Sequence, residues 1–179
     1  MPFFELPKDE DLPPDSRKML EEYQRLSGAK ELSVHWRLFG RFPKIIETRL
    51  VAYKNLHRDS SFSPDARMVA LMLIAHAKGC QLCFAGARSD LDKLGFDEGA
   101  LDAMCANPEA LPLKERDRRF VLFALKIATD SASLTAKDFR EMEQAGFSRD
   151  EILEMIGFAA YWTMNIVFSK SGLAGLTDE

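Results

Sequence analysis

Cys80-Gln81-Leu82-Cys83 is the one cluster of reactive side chains in this sequence. A C-x-x-C pair binds metal together with a second pair, holds structure as a disulfide, or performs thiol chemistry. The remaining cysteine, Cys105, stands alone in Met104-Cys105-Ala106, so a four-ligand zinc site lacks its second half. Two cysteines three apart on a helix share a face and can close a disulfide after small adjustments. At a helix N-terminus, unpaired N–H groups and the macrodipole favour a thiolate. The bland alternative is a pair of reduced cysteines packed as small apolar residues. His76 is the nearest candidate base. On a helix running unbroken through Gly79 it would share a stripe with Cys80 and Cys83; a break at Gly79, the favoured geometry, makes proximity depend on how the chain turns. His35 and His57 have no acid at ligand spacing and read as structural, and no metal or cofactor is expected.

Elements must then be found to position that pair. With 179 residues, 46% hydrophobic and 29% charged, the chain has the make-up of one ordinary globular domain. Its 24 basic and 28 acidic residues leave a net charge of -4 and no Lys/Arg stripe, which argues against nucleic acid as a partner. Met1 to Glu10 carries acids and prolines where a secretion signal needs basic residues and an apolar run. The most apolar windows, 69–75 and 152–167, end at or contain His76, Lys78, Glu154 and Asn165 and fall short of the roughly 20 apolar residues of a membrane span. A cytoplasmic protein with reduced cysteines is the expectation.

Residues 1–13 read as an extended arm, because three prolines fix the backbone and no apolar period develops. Residues 14–179 read as a single helical domain. Pro14-Asp15-Ser16 opens a helix that Gly28 closes; a short helix covers Leu32 to Phe39, and Pro43 starts a third whose apolar face runs to Leu56. Asn55 to Ser63 reads as a loop. Ser63-Pro64-Asp65 is a strong helix start, and Met68 to Ile74 is apolar nearly all round, which places that helix at the centre. A new helix begins at Cys80 and runs to Leu94-Gly95. Asp97 to Met104, Leu113 to Thr129, the Thr135 capping box to Gly146, and Ser148 to about Leu173 complete an all-α chain without an alternating stretch. Asn165, polar inside the last helix, needs a hydrogen-bond partner, and Trp162 reads as core.

This order of signals resembles the alkylhydroperoxidase D-like (AhpD-like) group of the carboxymuconolactone decarboxylase superfamily. The resemblance runs through Gly79-Cys80-Gln81-Leu82-Cys83, Leu94-Gly95-Phe96-Asp97, Leu113-Lys114-Glu115-Arg116, Leu134-Thr135-Ala136-Lys137-Asp138-Phe139 and Ala145-Gly146-Phe147-Ser148-Arg149-Asp150-Glu151-Ile152, covering almost the whole chain. It implies a multihelical AhpD-like bundle, a homo-oligomer, and a cysteine pair that cycles between dithiol and disulfide. The implied substrate is a small hydroperoxide or a disulfide, and the implied partner a dithiol-carrying reductant protein. By the same resemblance Cys83 attacks and Cys80 resolves, the latter being nearer the helix end and better placed to exchange with a reductant. The family's proton relay is a Glu twelve residues before the first cysteine, a His just before the second and a His four after it. Those positions hold Met68, Leu82 and Ala87. The rival reading is a non-redox small-molecule binding or interaction protein on the same scaffold, with a lactone decarboxylase third.

Overall fold

The computed structural model describes residues 2–176. Among them are nine α-helices, short 3-10 turns, one π turn and no strand. By internal contacts the chain forms two compact units, one of residues 2–55 and 167–176, the other of residues 56–166.

The first unit holds α1 (Pro14–Ser27), α2 (Val34–Leu38) and α3 (Pro43–Tyr53). Residues 9–11 of the N-terminal arm form a 3-10 turn, Leu12 is buried, and the Phe4 N–H donates to the Gly175 carbonyl at 2.6 Å. The centre of this unit is a wholly buried cation. The Arg49 guanidinium lies 3.8 Å above the Trp36 ring and 5.2 Å from Phe168, and donates to the His35 carbonyl at 3.2 Å. Tyr23 stacks on the other partner of that contact, Trp36, at 4.0 Å. A buried charge is tolerable only when aromatic faces and carbonyls replace its water, and this arrangement supplies both.

The second unit holds α4 (Pro64–Ala77), α5 (Gln81–Lys93), α6 (Glu98–Ala106), α7 (Glu115–Asp130), α8 (Ala136–Gln144) and α9 (Arg149–Ala174) as far as residue 166. α4 is its axis, packed against α5 and α7, with Ala66 and every residue from Val69 to Ala75 buried. Each large aliphatic chain so enclosed contributes about 1.5–3 kcal/mol, so the core fixes α4. α8, by contrast, buries only Met142 and leans on its Thr135–Asp138 capping box and the Lys126–Asp138 ion pair at 2.5 Å. Phe62 stacks on Phe120 at 4.1 Å, and Phe120 meets Phe158 edge-on at 5.3 Å.

Residues 54–58, read from sequence as the end of α3 and the start of a loop, form a π turn. Leu56 and His57 belong to the second unit. The Leu56 methyl lies 2.9 Å from where a side chain on Gly157 would begin, and the His57 ring meets Trp162 edge-on at 5.1 Å. Asn165 is buried and has a partner within its own helix, donating to the Tyr161 carbonyl at 2.9 Å. α9 is by length and composition apolar enough to cross a membrane, and 44% of its most apolar window is buried inside the chain, including Met155, Phe158 and Ala159.

Candidate functional site

α4 ends in a Schellman motif. Gly79 has φ 64°, its N–H donates to the His76 carbonyl at 3.0 Å, and the Cys80 N–H donates to the Ala75 carbonyl at 2.9 Å. Left-handed backbone of this kind is open to Gly without the Cβ penalty, so Gly79 breaks the helix as its position implies. α5 then begins without a linker. Cys80 itself is the N-cap, with its Sγ accepting the Cys83 N–H at 3.4 Å. One residue thus closes the first helix through its amide and opens the second through its sulfur.

Cys80 and Cys83 are joined as a disulfide, with Cα atoms 5.4 Å apart. Their exposures differ. Cys80 is 2% exposed and belongs to the main apolar core, whereas Cys83 is half-buried. The resemblance implies that Cys80, nearer the helix end, is the better placed for exchange; in the fold Cys80 is the more enclosed of the two. The cause is the Schellman turn, whose last residue turns back onto the helix it ends and packs there.

The break at Gly79 removes the continuous helix on which His76, Cys80 and Cys83 would share a stripe. His76 is exposed on the last turn of α4, its ring 5.3 Å from that of Phe84, the residue after Cys83. Among the described residues no hydrogen bond joins His76 to either sulfur. The Arg88 guanidinium also lies over the Phe84 ring, at 5.4 Å; Arg88 pairs with Asp102 at 2.6 Å and with Glu98 at 3.6 Å. Cys105, half-buried on α6, has its thiol pKa pushed up by burial, an effect that nearby Arg88 opposes. Phe84 is the residue that composition did not single out; its position directly after the pair was the available signal.

The relay positions are apolar in space as in sequence. Met68 and Leu82 are half-buried against the core, and Ala87 is 1% exposed. The other histidines are held neutral. Burial lowers the His35 and His57 pKa values to about 3, with Arg49 and Arg67 respectively adding to the effect. Among the described residues no group of three or more His, Cys, Asp or Glu side chains is placed to hold a metal ion. Two open grooves, of about 570 Å³ along α7 and α8 and about 450 Å³ along α8 and α9, are lined by neither cysteine nor His76.

Two solved crystal structures share the fold. One is described as an alkylhydroperoxidase AhpD core, an uncharacterized peroxidase-related protein from Ralstonia eutropha JMP134; it is 17% identical, covers 99% of this chain and 92% of its own, and has a TM-score of 0.80. The other, an uncharacterized peroxidase-related protein from Silicibacter sp. TM1040, is 18% identical with coverage of 98% and 91% and a TM-score of 0.78. No protein-family model and no curated protein matches the chain. The all-α architecture expected from the sequence is therefore the fold of the alkylhydroperoxidase AhpD core.

Proposed function

We propose that this chain is an AhpD-like thiol-dependent peroxidase or disulfide reductase whose working groups are Cys80 and Cys83. The observation that carries the reading is the pair itself, bonded at the N-terminus of a thirteen-residue helix with Cys83 half-buried beside solvent. In the dithiol state the Cys83 thiolate attacks the terminal oxygen of a hydroperoxide. The O–O bond breaks, an alcohol leaves after taking a proton, and Cys83 becomes a sulfenic acid. Cys80 then attacks that sulfur, water leaves, and the disulfide closes. Two electrons have passed to the peroxide, and an external dithiol restores the pair.

His76 is the proposed base in place of the absent Glu/His relay, by virtue of its contact with Phe84 next to Cys83. Replacing His76 by Gln is expected to slow peroxide consumption and raise the Cys83 thiol pKa; unchanged values for both would remove His76 from the mechanism. The central check is consumption of an organic hydroperoxide with dithiothreitol as reductant, and activity that survives Cys83→Ser would sink the proposal. A cytoplasmic homo-oligomer is part of the same reading.

The apolar residues Met68, Leu82 and Ala87 favour a second reading, a non-redox binding protein with residual cysteines. Thiol titration separates the two. Two thiols that convert reversibly to the disulfide support redox work, and thiols that resist both steps support binding.

A further inference from the structure

We infer that the reductant reopens the disulfide by attacking Cys83, with Cys80 as the leaving sulfur. This assignment rests on the thiol–disulfide reading of the same pair and reverses the order that proximity to the helix end implies. Three observations support it. Cys80 is 2% exposed and part of the core, so a thiolate approaching its sulfur must displace core side chains; Cys83, packed against the same core, is only half-buried and is the more exposed of the two. The Cys80 sulfur already accepts the Cys83 N–H at 3.4 Å and lies at the N-terminus of α5, where charge that develops on a leaving sulfur is met by a donor and the helix dipole. The Cys83 N–H belongs to the first turn of α5, so that donor is in place before the bond breaks.

The step balances. A thiolate of the reductant bonds to the Cys83 Sγ, the Cys80–Cys83 bond breaks, and Cys80 leaves as a thiolate. The second thiol of the reductant, deprotonated, then attacks its own sulfur in the mixed disulfide and expels Cys83 as a thiolate; the reductant becomes a disulfide and the chain a dithiol. With a monothiol the enclosed Cys80 thiolate attacks the Cys83 Sγ and expels the monothiol as a thiolate, so the adduct reverses to the Cys80–Cys83 disulfide. Cys80 therefore also selects a dithiol over a monothiol as the productive reductant.

The test uses the full chain carrying Cys105→Ser, oxidised, exposed briefly to glutathione, quenched in acid, alkylated and mapped by peptide mass spectrometry. Glutathione is expected on Cys83 over Cys80 by about tenfold or more, because access selects the sulfur attacked. Glutathione equally or mainly on Cys80 overturns the assignment; where reversal by Cys80 leaves no adduct on either sulfur, the rates of the single variants decide. The single variants add a second readout. In reduced protein, Cys83 of Cys80→Ser should react with dithiodipyridine about tenfold faster than Cys80 of Cys83→Ser, and equal rates overturn the assignment. Mapping of the pair needs neither substitution at Cys80 or Cys83, so misfolding of a variant leaves it intact. Failure of peroxide turnover with glutathione on Cys83 defeats the peroxidase reading and supports this one. Turnover with glutathione on Cys80 defeats this one alone.

Discussion

The junction between α4 and α5 and the junction between α8 and α9 use the same first step and then part. In both, a left-handed glycine ends the helix: Gly79 at φ 64° and Gly146 at φ 88°. The bonding is matched, since the Phe147 N–H reaches the Met142 carbonyl at 3.1 Å as the Cys80 N–H reaches that of Ala75. At the later junction two residues divide the remaining work. Phe147, 3% exposed, is the apolar residue that packs back, and Ser148 is the N-cap, its hydroxyl accepting the Glu151 N–H at 3.2 Å while Glu151 accepts the Ser148 N–H at 2.8 Å. The turn from α5 to α6 repeats this with Gly95, Phe96 and Asp97. At the earlier junction Cys80 performs both tasks. A side chain that is small and apolar yet a weak acceptor can be buried and cap at once, and cysteine sulfur meets both requirements. The earlier junction thus has a sulfur cap where the later one has an oxygen cap.

The sharpest contrast is in turnover. Cys83→Ser should reduce hydroperoxide consumption to that of a protein-free control, whereas Ser148→Ala should leave it unchanged while lowering stability by about 1 kcal/mol in urea unfolding. Phe147→Ala removes the buried packing residue of the later junction and should cost about 3 kcal/mol in the same assay; a loss near zero would break the assignment of Phe147 as its anchor. Gly79→Ala and Gly146→Ala each force a side chain into left-handed backbone and should each cost about 1–2 kcal/mol. Only Gly79→Ala should also slow disulfide closure, measured by timed alkylation; equal slowing in both would erase the distinction. The smallest effect is pH-dependent. The Glu151 pKa is lowered, first by the Ser148 backbone N–H, with Arg116 and the Ser148 hydroxyl assisting. A carboxylate with a depressed folded pKa stabilises above its unfolded value and loses that contribution as pH falls through the folded one. The later junction should therefore loosen in acid below the usual carboxylate range. The earlier junction, capped by sulfur, should not. An NMR titration in which the Ser148 amide fails to follow Glu151 would contradict this.

Helix starts and stops were legible because they are local chemistry. Ser63 and Asp97 accept the N–H groups of Ala66 and Ala100, at 3.2 and 2.9 Å, as N-caps do, and Gly28, Gly95 and Gly146 take positive φ where the apolar period ends. The centrality of α4 followed from an apolar run with no polar face. The π turn at 54–58 was not legible, since it answers to Leu56 and His57 meeting Gly157 and Trp162, about a hundred residues later in the chain. Nor was the Arg49 environment, because Trp36 and Phe168 come from distant segments. His76 shows the limit within one site. Its spacing from the cysteines was readable, but its direction depended on the turn at Gly79, which set it against Phe84.

The sequence by itself determined that Cys80 and Cys83 stand at a helix break, because glycine conformation and three-residue spacing are properties of adjacent residues. Only the tertiary structure decided which of the two cysteines is enclosed. Exposure depends on what packs against a side chain, and the core that encloses Cys80 is assembled from α4, α5 and helices far along the chain.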